Sequence, residues 1–297
     1  MTIEPGPLGA YLTAAEATAA DAVALEEAGY GAIWLAASPP ADLLAAERLL
    51  DATSRILVGA SVLNVWRADV AEVAESYHRI AGRHAGRLLL GIGAGHRELD
   101  AGYTSPLAKI AGYLDALTAV GVPADRVLLA ALGPKMLRLA ADRAAGTLTL
   151  QVTPEHTRRA RQVLGPAKLV VPGHGALLDT DAGRARETGR AALRPMLGVA
   201  GYAGNLRRIG FTDEDLTDPF SDRLVDALVL HGDAAAIAAG IRAELAAGAD
   251  QVGVHAIGED PIGVLRAIAD ELPAGPARRP VPAAGAPAPA PGTGSAG

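Results

Sequence analysis

The run ILVGASVLNVW, Ile56 to Trp66, reads as a buried parallel strand that ends in polar and bulky groups. Its first half is continuously apolar, as expected of a strand covered on both faces. Its second half sets a hydroxyl, an amide and an indole at Ser61, Asn64 and Trp66. A strand in the middle of a parallel sheet needs none of these at its carboxyl end, so the stretch marks a place where something is held.

Outward from it, short β-branched or Leu-rich runs alternate with Ala-rich segments of helical period, the pattern of a parallel sheet wrapped by helices. Strands are expected at Leu8–Leu12, Ala32–Leu35, Ile56–Leu63, Leu88–Ile92, Arg126–Leu132, Thr147–Val152, Lys168–Val171 and Gln251–Ile257. Eight βα units in about 270 residues fit a (β/α)8 TIM barrel better than a doubly wound sheet of five or six strands. The stretch from Asp179 to Gly232 is too long for a simple connection, and its YAGNLRRIGFTDEDL and SDRLVDALVLHG segments read as extra helices. A helical insertion between the seventh and eighth strands is therefore expected. From Pro273 the Pro, Gly and Ala of PAGPARRPVPAAGAPAPAPGTGSAG offer too little burial to order a chain. The sequence thus divides into a barrel domain, 1–272, and a disordered tail, 273–297.

The 297 residues, 50% of them hydrophobic, suffice for a sizeable core. A net charge of −6 with interspersed signs offers no basic face for nucleic acid and no polybasic membrane anchor. The absence of Cys excludes disulfides and thiolate metal sites, and the seven His never fall into HxH or HExxH spacing, so no metal is expected. The N-terminus lacks the charged and apolar regions of a secretory signal, and no apolar run reaches the ~18 residues of a membrane span. A cytoplasmic protein is expected.

In order along the chain, SVLNVWR, LLLGIGAGH, AALGPKMLRLAADRAAG, VTPEHTRRAR, NLRRIGFTDEDL and SDRLVDALVLHGD resemble the luciferase-like flavin-dependent superfamily. Within it they resemble the branch that uses the deazaflavin coenzyme F420, and the resemblance covers most of residues 8–272. It implies a site at the carboxyl ends of the barrel strands. It also implies coenzyme F420 as cofactor, with FMN as the alternative, and hydride exchange between the deazaflavin C5 and a small organic substrate, in either direction. An FMN-dependent luciferase-like monooxygenase and a non-catalytic flavin-binding relative are the other readings. Dimers are common in the superfamily, so a homodimer is compatible with the resemblance.

The resemblance places a bulge with a non-prolyl cis peptide at Ser61-Val62, whose backbone supports the ring. Asn64 either offers its amide to the heterocycle or caps the loop. The G-x-G-x-G of LLLGIGAGH lacks the third Gly spacing of a dinucleotide fingerprint. Alternating Gly91, Gly93 and Gly95 instead leave room for a flat ring against the backbone. His96 is either a proton relay beside the hydride acceptor or a structural imidazole. Gly133-Pro134 resembles the family's phosphate-binding turn, with free amides beyond it at Lys135 and Met136. Lys135 either adds a charge there or is solvated.

Trp34, Trp66 and His174 are the substrate-lining candidates, Trp34 being a core residue on the other reading. Gly173-His174-Gly175 reads as a loop after the seventh strand that closes over the cofactor. Its PGHG run lacks the HxHxDH cluster of a metal hydrolase. His156 reads as an exposed first helical turn, His255 as packing, and His78 and His84 as structural. At the end of the second strand, deazaflavin-dependent alcohol and sugar-phosphate dehydrogenases carry an Asp-His pair. Ala36 and Ala37 stand there instead, so the usual alcohol-deprotonating base is missing.

Overall fold

The computed structural model describes residues 3–98, 100 and 103–272, and the expected tail at 273–297 lies outside the described residues. Strand and helix alternate through β1 (Leu8–Thr13), α1 (Ala19–Glu27), β2 (Ala32–Ala36), α2 (Leu44–Ala52), β3 (Leu57–Asn64) and α3 (Val70–Arg83). They continue through β4 (Leu88–Gly93), α4 (Pro106–Ala119), β5 (Val127–Ala130), α5 (Pro134–Arg143), β6 (Gly146–Leu150), α6 (Pro154–Leu164) and β7 (Leu169–Leu178). Three helices follow without a strand between them: α7 (Ala182–Leu197), α8 (Ala200–Arg208) and α9 (Asp222–Leu228). The described chain ends with β8 (Val229–Gly232), α10 (Ala234–Ala246), β9 (Val252–Ala256) and α11 (Pro261–Asp270).

Strands β1 to β7 pair in parallel in chain order, β9 pairs with β7, and β9 closes on β1 through Leu8↔Val252 and Ala10↔Val254. The result is an eight-stranded (β/α)8 barrel with the insertion between its seventh and eighth strands. The remaining strand, β8, corrects the sequence reading, which carries the helix of SDRLVDALVLHG through to its end. The helix stops at Leu228, and Val229–Gly232 pairs with Gly175–Leu178 of β7. β6 covers β7 only as far as Gly173, so β8 takes the edge that β6 leaves bare, while β9 holds the opposite edge from Gly173 to Ala176. For the same reason Gly173-His174-Gly175 is strand and not loop: both of its edges find partners, and the backbone groups there are paired.

Alternation along the strands separates two cores. Tyr11, Trp34, Leu57, Leu89, Leu128, Leu148 and Val171 point inward and fill the barrel. Ile33, Leu35, Val58, Leu90, Ile92 and Leu129 point outward and pack under the helices. Trp34 is fully buried, its Nε1 donates to Gln251 Oε1 at 2.7 Å, and a Cβ on Gly9 or Gly59 would collide with the indole. It is a filling of the barrel floor and no wall of a substrate pocket, which corrects the lining role expected for it. Removing such a side chain costs about 3–5 kcal/mol.

The helix starts follow from the sequence where a short polar residue precedes them. Thr18 and Asp21 form a reciprocal capping box, and Asp69, Asp233 and Asp260 each accept a first-turn amide. Glu26, in the last turn of α1, accepts the amides of Ser54, Arg55 and Ile56 at 3.1, 2.6 and 2.7 Å. Burial pushes its carboxyl up, but these donors outweigh burial and hold its pKa at about 2. That anchor sets where β3 begins, and hence where the mouth of β3 stands.

Candidate active site at the barrel mouth

The register of β3 against β4 breaks between Ala60 and Leu63. The Ser61-Val62 peptide within the break is cis, and both residues are half-buried. Val62 turns into the barrel and packs with the interior cluster. A Cβ on Gly93 would strike Val62 Cγ2, and one on Gly91 would strike the Ala60 carbonyl. The space expected for a flat ring at Gly93 is therefore filled by the bulge itself.

Below the bulge lies Tyr11, its phenol facing the Ser61 side chain. Burial raises its pKa to about 12, with the Ser61 side chain opposing. The ring lies over Gly173 and Gly253, where any Cβ would run into it. The phenol is a fixed, protonated group at the floor of the mouth.

The loop after β4 is tied to the mouth of β3 by one carboxylate. Asp100 is 7% exposed and accepts from Asn64 Nδ2 at 2.9 Å, Arg67 Nε at 2.9 Å and the His96 amide at 2.8 Å. Asn64 Oδ1 in turn accepts from the Trp66 amide at 3.0 Å. Both ends of the Asn64 amide are thus engaged within the loop. Gly95 has φ +60°, and a Cβ there would collide with the Asp100 carboxylate. It stands in the loop against that carboxylate. Trp66 donates from Nε1 to the Ala94 carbonyl at 2.6 Å, and its ring stands 5.6 Å from Tyr103 with Lys109 Nζ 5.2 Å from its centre. It braces the rim between β3 and α4.

His96 is half-buried, and its ring centre stands 5.3 Å from that of Tyr202 on α8. Burial lowers the pKa of His96 and the charges of Glu98 and Asp100 oppose, with burial the larger effect, so the imidazole is neutral near pH 7. The phenol of Tyr202 is pushed up by burial and by Tyr11. The Ala200 amide donates to Glu98 Oε1 at 3.3 Å. Helix α8 thus crosses the mouth as a roof, from the β4 loop toward the end of β5.

At that end Gly133 precedes α5 with no side-chain cap, and Pro134 occupies its first turn. The amides of Lys135 and Met136 precede the first intrahelical bond, Leu137 N to Gly133 O at 3.0 Å. The Lys135 side chain is exposed in a cleft between α4 and α5 with Ser105 and Asp142. Met136 is half-buried and packs into the core beneath the turn. His156 differs from its expected exposed place: it is 3% exposed, and its Nε2 donates to the Leu132 carbonyl at 3.0 Å, supporting the turn from behind.

His174 also differs. It lies within β7 at 2% exposure on the outward face, and its Nε2 meets Glu244 Oε1 of α10 at 3.0 Å. The two-residue period puts Val171 and Gly173 inward and therefore His174 outward, away from any substrate. Conversely, His255 is inward on β9 with Gln251 and Gly253, and it is exposed at the mouth above Tyr11. Burial by the surrounding walls lowers its pKa, with Glu16 opposing. The sequence reading misses it; the alternation Gln251-Gly253-His255 was the signal that could have found it.

At the end of β2, Ala37 and Ser38 adopt left-handed φ of 59° and 54° and border a cleft of about 440 Å³ with Thr13, Pro39 and Arg48. Among the described residues no group of three or more His, Asp or Glu is placed to hold a metal ion, and no helix is long and apolar enough to cross a membrane.

Residues 3–120 match the family described as luciferase-like monooxygenase. Comparison with curated proteins gives no match. Among solved structures, the chain is similar to an F420-dependent secondary alcohol dehydrogenase in complex with an F420–acetone adduct, at 14% identity and a TM-score of 0.70 over 92% of this chain and 99% of that one. It is similar to the coenzyme F420-dependent tetrahydromethanopterin reductase of Methanopyrus kandleri, at 17% identity and 0.70 over 90% and 98%. It is also similar to the oxygenating constituent of 3,6-diketocamphane monooxygenase from Pseudomonas putida in complex with FMN, at 15% identity and 0.64 over 90% and 97%. At such identities the likeness is one of fold.

Proposed function

From a barrel whose residues 3–120 match the luciferase-like monooxygenase family, we propose a coenzyme F420-dependent oxidoreductase, a dehydrogenase or reductase acting on a small organic substrate. The observation that carries the reading is the break in β3. There Ser61 and Val62 leave the ladder at the mouth, beside the Tyr11 phenol, and present backbone on which a flat ring can rest. The uncapped start of α5 suits the phosphate of such a cofactor, since free amides and the helix dipole both favour an anion. The fold likeness to an F420-dependent dehydrogenase and reductase supports deazaflavin as the first choice.

When bound, coenzyme F420 supplies hydride exchange at its C5. The chain's own part is to position and to move a proton. Ala36 and Ala37 at the end of β2 supply neither an imidazole nor a carboxylate to deprotonate an alcohol. His96, neutral near pH 7 and held through its backbone amide by Asp100, is the group proposed to accept or return the proton. Tyr11, held protonated by burial, does not serve as a base near neutral pH. The fold likeness to an FMN-bound monooxygenase favours a second reading, an FMN-dependent monooxygenase on the same scaffold.

Titration of the purified protein with coenzyme F420 and with FMN, followed by cofactor fluorescence, separates the readings. Tighter binding of F420 is expected. Binding of FMN alone would move the chain to the monooxygenase reading, and binding of neither would leave a non-catalytic relative.

A further inference from the structure

We infer that Arg208 and Asn205, on the roof helix α8, are the side-chain half of an anion site whose backbone half is the Gly133 turn, and that the ligand group it takes is a phosphate ester. The inference rests on the reading of that turn as a phosphate seat and adds the residues that close it from the opposite side.

The region around α8 is rich in arginines, and its neighbours have carboxylate partners. Arg207 Nε meets Asp213 at 2.7 Å, Arg223 Nη2 meets Asp215 at 2.6 Å and Arg159 Nε meets Glu155 at 2.9 Å. Arg208 has none among the described residues. Its guanidinium contacts only the neutral Asn205 amide, through Oδ1 at 3.4 Å, and its Nη1 lies 3.4 Å from where a Gly133 Cβ would stand. Arg159 Nη1 donates to the Arg208 carbonyl at 3.3 Å and so holds this end of α8 in place.

Asn205 supplies the second, independent sign. It is 2% exposed, and with its Oδ1 turned to Arg208 its Nδ2 is buried with no acceptor at all. A buried donor without a partner costs about as much as a lost hydrogen bond and is uncommon in folded proteins. The groups gathered around Arg208 are therefore its own cation, an orphaned amide donor on the neighbouring Asn205 and the uncapped amides of α5, and the one side-chain acceptor, Asn205 Oδ1, is already taken by Arg208. An oxyanion with several acceptor oxygens satisfies all three. Gly133 is the residue that keeps the path between the guanidinium and the helix start open: a branched side chain there would press against Arg208.

Two cofactors of the proposed class carry this chemistry, FMN as a phosphomonoester and coenzyme F420 as a phosphodiester, and each can be paired with its phosphate-free counterpart, riboflavin and the ribityl deazaflavin. Arg208→Ala is expected to weaken binding of the phosphate-bearing partner by roughly ten- to a hundred-fold, the range of a charge-assisted bond, while the phosphate-free one is unchanged. Arg208→Lys should recover part of the loss. Because Arg208 is exposed, the melting temperature should hold in both variants. Equal affinities in parent and Arg208→Ala, or equal losses for both members of a pair, would overturn the inference. A separate arm uses inorganic phosphate and the amide NMR signals of Gly133, Lys135 and Met136. Saturable shifts that vanish in Arg208→Ala uphold the anion site even if neither cofactor binds and the proposed function fails. No shifts in the parent would sink it whatever the cofactor does.

Discussion

Asp100 Oδ1 stands 2.9 Å from Asn64 Nδ2, and through that bond the mouth of β3 holds the loop that follows β4. The same carboxylate takes the His96 amide, so the position of the proposed proton-transfer residue is set from β3 and not from its own strand. Burial alone would raise the pKa of Asp100, but the His96 amide, Asn64 and Arg67 together bring it below the usual carboxylate value. Asp100→Ala leaves the Asn64 amide and the His96 N–H without their acceptor. It should cost about 2–4 kcal/mol in chemical denaturation. Asp100→Asn, which keeps an acceptor, should cost less, and an equal cost would show that charge and not the bond pattern matters.

Gly93 is paired with Val62 in the same sense. Gly93→Ala should destabilise by about 1–3 kcal/mol and weaken cofactor binding, because its methyl displaces the bulge. Val62→Ala in the same chain removes the colliding methyl groups, and the double variant should regain much of the loss. Additive losses would show that the two side chains do not meet.

His96→Ala should lower turnover by about 10²–10⁴-fold once a substrate is found, with cofactor affinity changed far less. The rate profile of the parent should turn below pH 6.5, following the lowered pKa of the half-buried ring. A variant with the parental profile would remove His96 from the chemistry and leave His255, across the mouth on β9, as the group to test next.

Burial holds His156 below its usual 6.5, against the bond to the Leu132 carbonyl and the charge of Glu244, with Arg208 and Arg159 adding to the lowering. Below about pH 6.5 the unfolded chain binds a proton that the folded chain refuses, so stability falls as pH falls through that range and is level above it. His96 and His255 carry the same sign. Melting followed from pH 7.5 to 5 should fall less steeply for His156→Gln than for the parent, and identical slopes would place the proton elsewhere.

The alternation of strands and helices, the eight barrel strands and the position of the insertion are legible in the chain alone, because burial on both faces leaves continuous apolar runs that need no tertiary information to read. The helix start at Gly133-Pro134 is likewise written in local residue types, whereas the break at Ser61-Val62 was expected from the family resemblance and not from the residues themselves. Tertiary structure decided which way side chains face and what meets them. His174 turned outward to Glu244 once both edges of β7 were paired, and His255 turned inward by the same two-residue period. Asn64 was taken by Asp100 from 36 residues away, and Gly93 gave its space to Val62. Such outcomes depend on register between strands and on contacts across loops. The pattern of one chain segment can fix its own period but not the phase at which another segment meets it.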